Sequence, residues 1–149
     1  MKISTKGRYG VRLMLELAQN YGKGPLTLKE ISRRQDISEK YLWQLVNPLK
    51  KAGLITAERG AHGGYSLSKS PSKITLKDAI VILEGPLYVT SCAENPSLCK
   101  RSNLCPSLDI WEEIGMEIAA KLDSVTLEDM LQKRDYKMRG AATAPIYYI

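Results

Sequence analysis

Apolar residues recur at steps of three and four along much of this chain, and such spacing predicts amphipathic helices. The first stripe of this kind consists of Val11, Met14, Leu15, Ala18 and Tyr21. It predicts a helix that ends near Gly22, because glycine is favoured just after a helix C-terminus. The letters KGP that follow predict a break before the next element.

Two further helices are predicted next, with a short turn between them. Thr27 and Glu30 have the spacing of a capping box, in which two side chains satisfy free N–H groups at a helix start. After the interruption DIS, Ser38 can cap the following helix, which Pro48 should kink or weaken and Gly53 should end. The apolar stripe of that helix is Leu42, Leu45, Val46 and Leu49.

Two runs of alternating residues, 54–60 and 64–70, overlap the ends of the glycine-rich letters GAHGG. Alternation around a glycine-rich tip predicts a β-hairpin. The predicted order in residues 1–73 is therefore helix, short helix, turn, helix and hairpin, which is the arrangement of a winged helix-turn-helix. The predicted fold is mainly α with a small two-stranded β-wing.

The second predicted unit, residues 74–134, consists of helices around an irregular stretch. Thr75 and Asp78 repeat the cap pattern at the start of a helix. The stretch that contains the cysteines has little periodicity and several prolines, which predicts a loop.

A long helix after this loop has a continuous apolar seam: Trp111, Ile114, Ile118, Leu122 and Val125. Such a seam is too apolar to leave in water on a small domain, so the helix is predicted to pair two copies of the chain; the alternative is an intramolecular core. Thr126 caps a short helix after it. Residues 135–149 are predicted to be a flexible tail, with docking of the letters PIYYI as the alternative.

Charge is distributed unevenly along the 149 residues, whose net charge is +6. Residues 1–73 contain fourteen Lys and Arg against five Asp and Glu, whereas residues 74–149 contain eight against eleven. A basic half predicts a polyanionic partner such as nucleic acid, and the alternative is an uneven solvated surface.

Membrane insertion and catalysis have little support in the sequence. No apolar run approaches the ~20 residues that cross a bilayer, and the basic N-terminus lacks a signal-peptide core, so a cytoplasmic protein without a membrane partner is expected. The sequence contains no glycine-rich phosphate loop and no Ser/His/Asp arrangement, so we expect no enzyme activity and no catalytic residues.

The candidate DNA contacts lie on the second helix of the helix-turn-helix and on the wing. They are Ser38, Lys40, Tyr41, Gln44, Arg59 and His62. Glutamine can bond an adenine edge in the major groove, while an arginine beside glycines can enter a minor groove. Trp43 is compatible with either this face or the core.

All three cysteines, Cys92, Cys99 and Cys105, fall within one short polar stretch. Reducing cytosol disfavours structural disulfides, so the cluster predicts metal or redox chemistry. The spacings of six and five intervening residues are too long for a compact CxxC knuckle. Three thiolates leave one metal ligand missing, and Ser107, Asp109 and Glu112 lie nearby in the sequence.

Several segments together resemble the IscR-type regulators, over about residues 1–132 and in the same order. They are MKISTKGRYGVRLML, LKEISRRQDISEKYLWQLVNPLKKAGLI, RGAHGGYSLSK and the three-cysteine loop before LDIW. The resemblance implies a bacterial winged-helix transcription factor that forms a homodimer and binds a palindromic DNA site. It also implies an iron–sulfur cluster on the three cysteines, preferably 2Fe–2S with 4Fe–4S as the alternative, that tunes DNA binding and controls iron–sulfur or iron and redox stress genes.

The chain departs from that family at its ligand positions. The family's cysteines commonly have five residues between each pair, whereas six separate Cys92 from Cys99 here. Leu108 stands where one subgroup has a histidine ligand, and Arg8 stands where others have an acidic ligand from the partner subunit. The alternatives are a winged-helix regulator whose cysteines bind zinc or form a redox disulfide, and a protein-binding module with the same fold.

Overall fold

The computed structural model describes residues 2–142 of the chain, and within them the fold is helical apart from one hairpin. The elements are α1 (Thr5–Gln19), α2 (Leu28–Gln35), α3 (Glu39–Lys51), β1 (Ile55–Glu58), β2 (Gly64–Leu67), α4 (Leu76–Glu84), α5 (Ser91–Glu94), α6 (Pro106–Asp123) and α7 (Leu127–Ala142). This confirms the predicted class, mainly α with a two-stranded wing. Over these described residues, no helix combines the length and apolar character that a membrane span requires.

Short-range capping chemistry begins several of these helices. The predicted boxes at Thr27 with Glu30 and at Thr75 with Asp78 are both present, with reciprocal bonds of 2.9 to 3.2 Å. Hydrogen bonds from the Thr27 backbone N–H and hydroxyl hold the pKa of Glu30 below its ordinary value of 4.5. Thr126 and Asp129 also form such bonds, at the start of α7.

Two glycines let α1 lie directly against α4. A Cβ added at Gly10 would come within 2.0 Å of Leu83 Cδ1, and one at Gly7 would come within 2.4 Å of the Glu84 carboxylate. That carboxylate also accepts a hydrogen bond from the hydroxyl of Ser4, the residue that caps α1. The letters STKGRYG therefore set a close helix–helix contact as well as a helix start.

The stripe predicted for α1 is only partly the buried one: Met14 and Ala18 are buried as predicted, but the stripe omits two core leucines and includes an exposed tyrosine. Leu13 and Leu17 are fully or almost fully buried, whereas Tyr21 is 46% exposed beyond the end of the helix. Both sets have helical spacing, and contacts from α4 and α7 bury a wider face of α1 than periodicity alone defines. By contrast, the four predicted core residues of α3 are all buried.

The connections before and after α3 each contain a residue with positive φ. Asp36 adopts a left-handed conformation, φ 53°, in the turn between α2 and α3. Ala52 caps α3, and Gly53 follows it at φ 77°, one residue beyond the cap. Pro48 lies inside α3 without ending it.

The wing is attached to the turn before α2 as well as to itself. Strands β1 and β2 are antiparallel, with Ile55 opposite Leu67. Tyr65 of β2 also exchanges backbone hydrogen bonds of 2.8 and 2.9 Å with Leu26. A Cβ on Gly64 would approach the Leu26 carbonyl oxygen to 2.5 Å, so this contact depends on glycine.

Helix α7 returns to the N-terminal unit and shares its core. Leu127 has no exposed surface and belongs to the same buried cluster as Leu13 and Leu42. Its N–H donates to the Ile74 carbonyl at 2.9 Å, which ties the start of α4 to the turn before α7. The predicted boundary at residue 73 is thus no break in the core.

The C-terminal helix is longer than the capped short helix that the sequence predicted. Helix α7 continues through residue 142, so the first part of the predicted flexible tail, residues 135–142, is helical. The segment PIYYI lies outside the described residues.

Candidate nucleic-acid interface and cysteine loop

Helix α3 presents a polar face opposite its buried stripe. Ser38 caps the helix by accepting a 3.3 Å hydrogen bond from the Tyr41 N–H. Lys40 and Gln44, one turn apart, are both exposed. Pro48, inside the same helix, has no N–H and so donates no hydrogen bond to the carbonyl of Gln44. The arrangement leaves one cation, one amide and a capped helix N-terminus available to a ligand.

Tyr41 is placed differently from the other predicted contacts. It is half-buried, and its ring meets that of Tyr9 edge to face with centroids 5.8 Å apart. The Arg12 guanidinium lies 5.1 Å from the centroid of Tyr9. Tyr41 therefore packs α3 against α1, while its predicted DNA contact stays a prediction.

A polar cluster that the sequence did not reveal holds α2 against α1. It consists of Arg12, Glu16, Arg34 and Gln35, and we call it the α1–α2 polar cluster. Gln35 donates to Glu16 at 2.5 Å and accepts from Arg12 at 2.8 Å. Arg34 lies 3.4 Å from the Glu16 carboxylate, which is only 6% exposed. The one available signal was an acidic residue between apolar neighbours, at Glu16.

The wing tip carries the two remaining predicted contacts. Arg59 and His62 are both exposed, in the turn between β1 and β2. Gly63 lies so close to the start of this turn that a Cβ would be 2.2 Å from the Glu58 carbonyl oxygen. The two sides of the turn therefore lie close together, and the Arg59 guanidinium is exposed beside them.

The cysteine stretch is more ordered than the predicted loop. It contains α5 and two single 3₁₀ turns, Pro96–Leu98 and Ser102–Leu104. Cys92 lies within α5, Cys99 follows the first turn, and Cys105 directly precedes α6. All three thiols are free and half-buried, and the Cys92 sulfur lies 3.2 Å from the Thr90 hydroxyl oxygen.

The residues of this loop suit an iron–sulfur cluster in kind but not in arrangement. Cysteine thiolates are the usual ligands of such clusters. Within residues 2–142, however, no three His, Cys, Asp or Glu side chains are grouped so that they could hold a metal ion. Ser107, Asp109 and Glu112 are exposed on the first turns of α6. As folded, the site does not fit the group.

The apolar seam of α6 is only partly covered by its own chain. Ile114, Ile118 and Leu122 are half-buried, while Trp111 remains 37% exposed and Met116 65% exposed. Gly115 is buried, and a Cβ there would lie 3.2 Å from the Leu87 carbonyl oxygen. Helix α6 thus packs on its own chain while Trp111 and Met116 remain partly uncovered.

Comparison with known proteins gives one consistent result. The family described as Rrf2, iron-dependent transcriptional regulator, matches residues 3–133. The HTH-type transcriptional regulator CymR of Bacillus subtilis strain 168 is 44% identical over 149 residues, which is the full length of both chains. The solved structure of B. subtilis CymR, described as the global cysteine regulator of that organism, has a TM-score of 0.74 at 44% identity and covers 89% of this chain and 98% of that one. The structure of T. potens IscR has a TM-score of 0.75 at 40% identity, covering 99% of this chain and 95% of that chain.

Proposed function

This chain belongs to the Rrf2 family of transcriptional regulators, and on that premise we propose that it binds a palindromic site in double-stranded DNA as a homodimer. We further propose that the three-cysteine loop tunes this binding. The observation that supports DNA binding most strongly is the exposed polar face of α3, which begins at a capped N-terminus and follows a left-handed turn at Asp36.

The proposed DNA contacts have different chemical roles. The Ser38 hydroxyl oxygen accepts from the backbone, which leaves its proton to donate to a phosphate at the helix N-terminus. Lys40 provides a cation for guanine or phosphate, and Gln44 an amide for adenine. On the wing, Arg59 enters a minor groove while His62 contacts the backbone.

Homodimer formation rests on the exposed apolar side chains of α6. Ile110 and Trp111 are 49% and 37% exposed, and they flank the half-buried Ile114 and Ile118 on one side of this helix. A contiguous apolar surface of this kind marks an interface, because exposing it to water is unfavourable. A second copy of α6 is the partner that a palindromic site requires.

DNA binding is tested by fluorescence anisotropy with duplexes selected from random sequence. The logarithm of affinity should fall with the logarithm of salt concentration by roughly 0.9 for each phosphate neutralised. Gln44→Ala should relax base preference at one position in each half-site at a cost of about 1–3 kcal/mol, whereas Arg59→Ala should weaken binding with less change of consensus. A salt-independent affinity, or an unchanged consensus with Gln44→Ala, contradicts this placement.

The first candidate for the loop is an iron–sulfur sensor. The thiolate chemistry of Cys92, Cys99 and Cys105 and the family description as iron-dependent support it. It requires the loop to draw the three thiols together, with a fourth ligand from Ser107, Asp109, Glu112, the partner subunit or a small thiol. Its proposed targets are iron–sulfur or redox stress genes.

The second candidate is a zinc or thiol-redox switch without iron. The three free thiols are the groups that either switch needs, and the absence within residues 2–142 of three side chains grouped to hold a metal ion favours its thiol-redox form. So do Leu108 and Arg8, which cannot provide the ligands found elsewhere in the family. The 44% identity to a protein described as a global cysteine regulator favours genes of cysteine metabolism as its targets.

Anaerobic reconstitution separates the two candidates. The wild type and each single Cys→Ala variant are loaded with iron and sulfide and compared by visible absorption and by iron, sulfide and zinc content. The cluster candidate predicts a brown wild type and reduced loading in all three variants. A colourless wild type that binds only zinc, or full loading of every variant, contradicts it.

A further inference from the structure

Trp43 is an apolar side chain in the middle of the proposed DNA-binding face. Its indole is 55% exposed, and it does not belong to the buried cluster that contains Leu42 and Leu45. Within the described part of the chain it makes no hydrogen bond or ring contact, in contrast to the paired rings of Tyr9 and Tyr41. The packing of α3 therefore does not account for a tryptophan at this position.

The neighbours of Trp43 define what it can meet. It directly precedes Gln44, about 100° around the helix, and Lys40 lies one turn earlier. Glu39, also one turn earlier, is an exposed carboxylate that phosphates would repel. The strip formed by Glu39 and Trp43 is accordingly better suited to base edges than to the DNA backbone.

We propose that the Trp43 indole contacts the C5-methyl group of one thymine in the major groove of each half-site. This inference rests on the proposed function. Thymine is the base that presents an apolar group on the major-groove edge, so it is the base that an indole distinguishes. Consecutive Cα atoms are about 3.8 Å apart and base pairs about 3.4 Å. The thymine should therefore lie within about two base pairs of the base contacted by Gln44.

Replacement of single thymines by deoxyuracil in a selected duplex tests this contact, because it removes the methyl group and keeps the base-pairing edge. The wild type should bind about fourfold more weakly at one thymine position when one half-site is changed, and about fifteenfold more weakly when both are. Trp43→Ala removes the indole from both half-sites, so it should bind the thymine duplex about fifteenfold more weakly than the wild type does. Replacing thymine by uracil should not weaken the binding of this variant further.

Controls separate this contact from general effects. Tyr136→Ala removes another exposed aromatic ring, 81% exposed on α7, and should keep the thymine preference of the wild type. Circular dichroism should show that Trp43→Ala is folded, since the residue is outside the core. Equal binding of thymine and uracil duplexes by the wild type at every position overturns the inference while the proposed function stands.

Two further outcomes also decide. A Trp43→Ala variant that still prefers thymine as strongly as the wild type assigns the methyl contact to another residue and overturns the inference. Failure of the wild type to select any duplex contradicts the proposed function itself, and the thymine contact with it.

Discussion

The α1–α2 polar cluster should make a measurable contribution to stability, and Gln35→Leu is the change that exposes it. Gln35 bridges two charged groups: it donates to Glu16 and accepts from Arg12. Leucine has a similar volume but provides neither bond. The Arg12 guanidinium keeps its second hydrogen bond, to the backbone carbonyl of residue 35, whereas the buried Glu16 carboxylate keeps only the 3.4 Å contact with Arg34.

The magnitude follows from these contacts. A hydrogen bond to a charged group contributes about 1.5–3 kcal/mol, and a buried acceptor that loses its donor costs a similar amount. We expect Gln35→Leu to lower the free energy of unfolding by about 2 kcal/mol. For a chain of this size that corresponds to a fall in Tm of roughly 4–8 °C.

A double-mutant cycle distinguishes this explanation from a loss of packing. Glu16→Leu should lower the free energy of unfolding by only about 1 kcal/mol. Gln35 keeps its hydrogen bond with Arg12, and the half-exposed Arg34 side chain becomes hydrated instead of pairing with Glu16. Glu16→Leu combined with Gln35→Leu should be more stable than Gln35→Leu alone, since no buried carboxylate is left without its donor.

The assay is urea unfolding followed by far-UV circular dichroism at one fixed protomer concentration, because the proposed homodimer would make stability depend on concentration. Gln132→Leu, at an exposed glutamine on α7, is the matched control and should change stability by less than about 0.5 kcal/mol. A double variant that is no more stable than Gln35→Leu alone would refute the reasoning.

Three further predictions concern the dimer, a helix contact and acid. Ile118→Glu should give a folded monomer by analytical ultracentrifugation that no longer binds the palindrome; a folded dimer would refute the α6 interface. Gly10→Ala should cost about 1–3 kcal/mol, because its Cβ would lie 2.0 Å from the buried Leu83 side chain. At Gly140, by comparison, no heavy atom of residues 2–142 lies within 4 Å of an added Cβ, so Gly140→Ala should be neutral or slightly stabilising; equal effects would contradict the close packing of α1 on α4. Hydrogen bonds hold the pKa of Glu30 below 4.5 in the folded protein. The ionised side chain therefore contributes to the free energy of unfolding at pH values above the pKa of the unfolded state, and this contribution is lost as the pH falls through the lower pKa of the folded state. Glu30→Gln should therefore be less stable than the wild type near neutral pH and lose less stability in acid; parallel pH profiles would contradict this.

Local chemistry made most of the secondary structure predictable. The two capping boxes, the Ser38 cap and the α3 stripe each depend on successive side chains that are at most four positions apart, and all are present in the structure. The glycine-rich hairpin is equally local. Four of the five predicted seam residues, all except Val125, lie on α6, Pro106–Asp123.

Predictions for the candidate site were less complete, because they depend on distant parts of the chain. Periodicity alone left Trp43 compatible with core or surface, and the fold exposes it because the buried stripe of α3 faces the rest of the N-terminal unit. The sequence placed Tyr41 on the DNA face, whereas its ring meets Tyr9, which lies 32 positions earlier. Spacing placed three cysteines in one loop but did not show that their thiols stay apart as folded.

By itself, the sequence determined where helices begin, which side of α3 is apolar, and that a wing follows, since hydrogen bonds and side-chain periodicity of near neighbours decide these features. Only the tertiary structure decided that Leu127 completes the core of the N-terminal unit, that Leu26 pairs with Tyr65, and that Glu16 is buried among polar partners. The reason is physical: burial is a property of a residue's spatial neighbours, and those neighbours are set by how separate elements pack.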